Sequence, residues 1–204
     1  MRWRWLGTVP YREALEAQRA HRERLRAGEV GEELWLLEHP PVITTGRRDA
    51  TVDADGIARA GFELVATERG GLATCHEPGQ LVGYVLMDAR EIGVRRTVEA
   101  IEAGIAGWLG TGGRRAGYPG VWIGGDKVCA VGLHVGGGFT LHGFALNLVN
   151  DLRGFSLITP CGITDGGVTS LARARGRAPT PEEAAPEVGR WVVRTLLDAR
   201  ATPP

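Results

Sequence analysis

"GVWIGGDKVCAVGLHVGGGFTLHGFALNLVND", residues 120–151, reads as a run of apolar strands broken at two places. Gly124-Gly125-Asp126 and Gly136-Gly137-Gly138 are turn signals of the kind that close hairpins. Strands joined by such tight turns run antiparallel, because a parallel return needs a long crossover. This stretch therefore predicts a largely antiparallel sheet in the middle of the chain, and the flanking segments say what covers it.

Working outward, "GFELVATERGGLATCHEPGQLVGYVLMD" alternates strand-like pieces, Phe62 to Thr67 and Leu81 to Met87, with a glycine-rich link. "ELWLLEHPPVITTG" adds two short apolar runs split by Pro40-Pro41, a pair that no helix tolerates. Residues 11–27, "YREALEAQRAHRERLRA", are good helix formers with Leu15, Leu25 and several alanines on one side, and Gly28 and Gly31 end them. Residues 97–110 return to helical periodicity. Near the end, Thr180 is a candidate N-cap with Pro181 in the first turn, early glutamates behind it, and Pro186 within or just before the first full turns. Strands grouped centrally between helices predict an α+β (mixed α/β) fold, one domain over residues 1–204 around one central, largely antiparallel sheet.

The totals narrow the function. A chain of 204 residues with 43% hydrophobic and 24% charged residues has the profile of a globular domain. Acidic and basic side chains balance at 24 each, which gives no support to nucleic-acid or membrane-surface binding. No apolar run approaches the roughly 18 residues needed to span a bilayer. The N-terminal stretch lacks the pattern of a secretory signal, so a cytoplasmic location is expected. Cys75, Cys129 and Cys161 are odd in number and scattered, which is not a disulfide framework. They show no CxxC or HxxxH spacing, so no metal is expected. Neither a P-loop nor a GxGxxG unit is present, so no nucleotide cofactor is expected either.

Glycine, at 31 residues, clusters around 69–71, 124–138 and 162–167, and these clusters mark where backbone approaches a ligand closely. Arg69 before Gly70-Gly71 sets a charge beside backbone N–H groups that suit an acyl carbonyl or phosphate; the plainer reading is a hairpin turn with a surface arginine. His76 is either a group that titrates near neutrality or a structural histidine. Lys127 enters a strand directly after a turn, as a solvated edge residue or as an ammonium aimed into a pocket. His142-Gly143 interrupts an apolar strand, as a bulge or as a close backbone approach to a ligand. Cys161, between Pro160 and Gly162 in a stretch too broken for helix or strand, is either an ordinary turn residue or a thiol held out for chemistry.

Taken in order, "RGGLATCHEPGQLVGY" (69–84), "GVWIGGDKVCAVGLHV" (120–135), "TLHGFALNLVNDL" (140–152) and "ITPCGITDGGVTSL" (158–171) resemble the lipoyl(octanoyl) transferases. Those enzymes are related in fold to biotin and lipoate ligases. "LLEHPPVITTGRR" (36–48) is similar to that family's early strand pair, so the resemblance runs from about Leu36 to Leu171. It implies an ATP-independent acyltransferase without a cofactor. An octanoyl group would pass from octanoyl-acyl carrier protein to Cys161 as a thioester. It would then pass to a lysine on the lipoyl domains of 2-oxoacid dehydrogenase E2 subunits or the glycine-cleavage H protein. The family's lysine falls on Lys127, whose ammonium would favour the Cys161 thiolate over a thiol with an ordinary pKa of about 8.5. The implied acyl-binding positions are Arg69, Gly70, Gly71, Leu72, Ala73, Thr74, Cys75 and His76, then Ala130, Val131 and Gly132, then His142, Gly143, Phe144 and Ala145. Backbone N–H groups there would stabilise the tetrahedral oxyanion. Nothing in the sequence suggests an obligate interface, so a monomer is expected.

Three positions depart from the pattern. Cys75 stands where the family has a ring expected to pack beside the acyl chain, and Glu77 where it has glycine. His134 stands where arginine is common. If the glycine served a positive φ, glutamate costs on the order of a kcal/mol; if it served space, Glu77 brings a negative charge toward the site, and Cys75 is a competing thiol. Two rivals follow. An ATP-dependent lipoate or biotin ligase would form an adenylate and would not need Cys161. A non-catalytic module would bind the carrier protein or lipoyl domain without turnover.

Overall fold

Strict alternation in two central strands decides how the layers are stacked. In β2 (Glu33–Glu38), Leu34 and Leu36 point to one side while Trp35 and Leu37 point to the other. In β6 (Gln80–Leu86), Leu81 and Val85 join the first side and Val82, Tyr84 and Leu86 the second. Successive strand side chains face opposite ways, so a strand apolar at every position must be covered on both faces. The computed structural model, which describes residues 1–48, 52–158 and 166–201, supplies both covers. Helices α3 (Gly93–Leu109) and α5 (Pro181–Ala201) lie on the first face, with Ile101, Ile105, Val188 and Val192 in the larger core. Helix α1 (Tyr11–Arg26) lies on the second, through Ala14.

The remaining strands complete a seven-stranded sheet. They are β1 (Arg2–Thr8), β7 (Gly113–Arg115), β8 (Tyr118–Ile123), β9 (Asp126–Gly136) and β10 (Phe139–Asn147), in the order β1-β2-β6-β10-β9-β8-β7. All neighbours are antiparallel except β1 and β2. The opening stretch thus forms β8, β9 and β10, turning where its glycines stand. One expectation is corrected: the strands make two sheets. β3 (Val42–Thr45), β4 (Glu63–Ala66) and β5 (Thr74–His76) form a separate three-stranded sheet in the order β4-β3-β5.

Local signals hold where they were read. Gly28 follows α1 with φ 75°, a conformation glycine adopts without steric cost. Thr180 caps α5 in both directions: its Oγ1 accepts from Glu183 N–H at 3.4 Å, and its own N–H donates to Glu183 Oε2 at 2.9 Å. That reciprocal pair is a capping box, with Pro181 at the first helical position and Pro186 inside the helix. Helix α3 begins at Gly93, four residues before the expected start, and its N-cap makes no side-chain hydrogen bond. Two short helices, α2 (Ala54–Arg59) and α4 (Leu171–Arg175), were not expected.

Candidate active site

Strand β8 pairs with β9 only as far as Gly120 opposite Ala130. Farther along, β9 receives the Arg69–Gly71 turn, where Gly70 N–H donates to Leu133 O at 3.2 Å. A cleft of about 290 Å³ lies here, near the lower end of the range for small-molecule sites. Its walls come from both faces of the sheet: Val82 and Tyr84 from the α1 side, Val98 and Phe144 from the α3 side.

Thirteen of the expected site residues line this one cleft: Lys127, Arg69, Gly70, Gly71, Thr74, His76, Ala130, Val131, Gly132, His142, Gly143, Phe144 and Ala145. Lys127 is 7% exposed, and its Nζ lies 4.9 Å above the Trp122 ring. Its main chain is held by the segment that follows Cys161 in sequence: Lys127 N–H donates to Gly167 O at 2.9 Å, and Thr169 N–H donates to Lys127 O at 3.0 Å. Cys161 itself lies outside the described residues. Arg69 is a buried tie rather than a surface charge. Its guanidinium donates to Thr44 O at 2.6 Å and Thr44 Oγ1 at 2.9 Å, pinning the glycine turn to β3.

Leu72, Ala73 and Cys75 are not in the wall. β5 alternates, so Thr74 and His76 face the cleft, while Ala73 and Cys75 join Ile43, Ile57, Phe62 and Ile158 in a separate apolar cluster. Cys75 is fully buried, and burial, reinforced by Glu77, pushes its thiol far above the usual range. The expected ring position therefore does not border the cleft in this chain, and Cys75 is not offered there as a second thiol. Glu77 carries no left-handed φ; His142 and Leu152 are the non-glycine residues with positive φ among those described.

The α1-side wall is a packed group of rings. His39 Nδ1–H donates to Val9 O at 2.6 Å, which leaves Nε2 to accept from the Tyr84 hydroxyl at 2.6 Å. His76 Nδ1–H donates to Gln80 Oε1 at 2.7 Å and its ring stacks on Tyr11. His142, at φ 64°, donates its N–H to Gln18 Oε1 and sets its ring edge-on to Tyr84. Burial lowers all three imidazoles, His39 and His142 to about 4 and His76, beside His39, to about 3. They are neutral at physiological pH and bring no net charge to the cleft.

Two glycines sit diagonally across the β6–β10 pairing, Gly143 opposite Tyr84 and Gly83 opposite Phe144. A Cβ on Gly143 would stand 2.1 Å from Gly83 O, and one on Gly83 would stand 2.2 Å from the Phe144 ring. The close backbone approach at Gly143 is to β6, and Gly143 also lines the cleft.

Several wall residues were not foreseen: Tyr11, Arg48, Val82, Tyr84, Val94, Val98, Gly117, Tyr118, Pro119 and Leu133. Val82 and Tyr84 had a usable signal, being alternate residues of the strand that follows His76. Tyr11 had none, since it reads simply as the first apolar residue of a helix. A largely apolar slot whose wall holds Lys127, Arg48, neutral imidazoles and an Arg69 guanidinium tied back to Thr44 suits an uncharged acyl chain whose reactive end meets the lysine. Among the described residues no group of His, Cys, Asp and Glu is arranged to hold a metal ion, and no helix is long and apolar enough to cross a membrane.

Comparison with known proteins agrees with this geometry. The family model of the lipoyl protein ligase A/B catalytic domain matches residues 10–191. A protein of Rubrobacter xylanophilus named octanoyltransferase is 44% identical over 84% of this chain and 82% of its own length. An octanoyltransferase of Clavibacter sepedonicus is 42% identical over 97% of this chain and 90% of its own length. Protein Ta0514 of T. acidophilum, a proposed lipoate protein ligase solved with bound lipoic acid, superposes with a TM-score of 0.69 at 15% identity, covering 98% of this chain and 86% of that one. That last likeness concerns the fold alone.

Proposed function

The chain belongs to the lipoyl protein ligase A/B catalytic-domain family, and from that premise we propose that it is an octanoyltransferase of protein lipoylation. The donor is octanoyl-acyl carrier protein. The acceptors are lysines on lipoyl domains, those of 2-oxoacid dehydrogenase E2 subunits and the glycine-cleavage H protein. The observation that carries the reading is convergence: residues from three separated motifs, 69–76, 127–132 and 142–145, meet in one apolar cleft with Lys127 in its wall.

The reaction closes on itself without ATP. The Cys161 thiolate, paired with the Lys127 ammonium, attacks the thioester carbonyl. A carbon–sulfur bond to Cys161 forms, the bond to phosphopantetheine breaks, and the departing thiolate takes its proton from Lys127. The acceptor's amine then attacks the acyl-enzyme, forming a carbon–nitrogen bond and releasing the Cys161 thiolate. Neutral Lys127 takes the amine's proton, which restores the starting pair. Both halves pass through the Cys161 nucleophile, with Lys127 giving a proton in the first and taking one in the second. Supporting this use of Lys127 are its burial and the hydrogen bonds that tie it to Gly167 and Thr169, six and eight residues beyond Cys161.

The test is transfer to an apo lipoyl domain from octanoyl-acyl carrier protein with no nucleotide present, by the wild type and by Cys161→Ser. Octanoylation by the wild type and none by the variant is the expected result. Transfer that requires ATP, or that survives in Cys161→Ser, would overturn the assignment.

A further inference from the structure

The two departures at 75 and 77 meet at one place. Gly154, in the 3₁₀ turn Arg153–Leu157, is pressed against Cys75: a Cβ on Gly154 would lie 2.2 Å from Cys75 Sγ. The same Gly154 donates its N–H to Glu77 Oε2 at 3.3 Å. A ring at position 75 would occupy the space that the turn fills here, and a glycine at position 77 would not reach it. The small thiol lets the turn come close, and the carboxylate holds it there.

Glu77 is 3% exposed and belongs to a continuous buried network. Its Oε1 accepts from Asn150 Nδ2 at 3.1 Å, and Asn150 Nδ2 also donates to Asn147 Oδ1 at 3.1 Å. Asn147 Oδ1 accepts from Gln80 Nε2 at 2.8 Å, and Gln80 Oε1 accepts from His76 in the cleft wall at 2.7 Å. Asn147 Nδ2 donates to Thr169 O at 3.0 Å, and Thr169 N–H donates to Lys127 O. One hydrogen-bonded path thus joins the cleft wall to Gly154, seven residues before Cys161, and to Thr169, eight residues after it.

We propose that Glu77 is a positioning residue for acyl transfer, fixing through Gly154 and Asn150 the described segments that precede and follow Cys161 in the sequence. The inference rests on the octanoyl-transfer reading for the identity of the reaction. It recasts a residue that looked like an intruding charge: Glu77 is not in the cleft wall, and its carboxylate serves as a clamp on Asn150 and Gly154. Loose anchors cost rate rather than affinity, because misplacement of a reacting group by about 1 Å lowers turnover by up to about a hundredfold.

The experiment compares wild type, Glu77→Gln and Glu77→Gly in single-turnover octanoylation of Cys161. KM for octanoyl-acyl carrier protein, melting temperature and the rate of Cys161 alkylation by iodoacetamide are measured on the same preparations. Glu77→Gly is expected to acylate at least about tenfold more slowly with KM nearly unchanged. Glu77→Gln should fall between the two, since its amide oxygen still serves Asn150 while its N–H₂ faces Gly154. Alkylation reports the thiol's placement without any octanoyl group. Failure of the wild type to acylate would therefore sink the transfer reading, while slowed alkylation in the variants would still uphold the clamp. Acylation and alkylation at wild-type rates in both variants would overturn the proposal. So would a loss of rate that matches, variant by variant, the loss of folded protein.

Discussion

Lowering the pH from 7.5 to 5 should strip the fold of much of its stability, and the three buried imidazoles say how much. His39, His76 and His142 have folded-state values of about 4, 3 and 4 against an ordinary 6.5. A depressed imidazole binds its proton more readily in the unfolded chain, so stability rises with pH between the two values and falls as the solution is acidified below 6.5. At pH 5, a pH unit and a half below the ordinary value, each ring held neutral costs about 2 kcal/mol, taking about 1.36 kcal/mol per pH unit. Three rings together give about 6 kcal/mol, an upper figure because His39 and His76 touch and titrate as a pair. Against a typical total of about 5–15 kcal/mol this is a large share. Urea denaturation midpoints at pH 7.5, 6 and 5, with the histidine C–H resonances followed by NMR, measure it directly. The midpoint should fall steeply between pH 6 and 5, with three resonances that do not shift until lower pH. A midpoint flat across that range, or three imidazoles titrating near 6.5, would refute the burial argument.

Gly143→Ala should be strongly destabilising, by at least about 1–3 kcal/mol, because its Cβ meets the Gly83 carbonyl rather than a side chain that can move. Differential scanning calorimetry would show it, and an unchanged Tm would contradict the close β6–β10 approach. Lys127→Met should keep the fold, lower octanoyl transfer by roughly a hundredfold or more, and move the pH profile of Cys161 alkylation upward. An alkylation profile that stays put would separate the lysine from the thiol. Thr180→Ala removes one half of the α5 capping box; it should cost about 1 kcal/mol and lower Tm by about 2–4 °C, leaving transfer unaffected.

The parts of this fold that could be read beforehand are those where one short stretch carries its own instruction. The hairpins of β8, β9 and β10 were visible because glycines stand at their turns, and α5 because Thr180, Pro181 and Glu183 announce its start. Strand β1 was passed over although Arg2, Trp3, Arg4 and Trp5 alternate with period two, and the exposed side of that alternation is the arginines. β5 and β7 are three residues each, too short for any periodicity to register. The second sheet could not be seen at all, since pairing β3 with both β4 and β5 is a long-range choice.

At the site, the motifs located the cleft, and alternation decided which of their residues face it. Reading β5 as a strand would have turned Cys75 away from His76 on sequence grounds alone. Glu77 is different. Its partners, Asn150 and Gly154, lie more than 70 residues away in the chain, so only the folded structure shows that a departure from pattern is satisfied rather than strained.

The central claim is an acyl group carried on Cys161, and intact-protein mass spectrometry tests it most directly. The protein is mixed with octanoyl-acyl carrier protein, without ATP and without acceptor, and the product is digested to locate the adduct. The account predicts a single octanoyl addition, lost on hydroxylamine treatment and mapped to Cys161. No adduct from a donor shown to be active, or an adduct on Cys75 or Cys129, would contradict it.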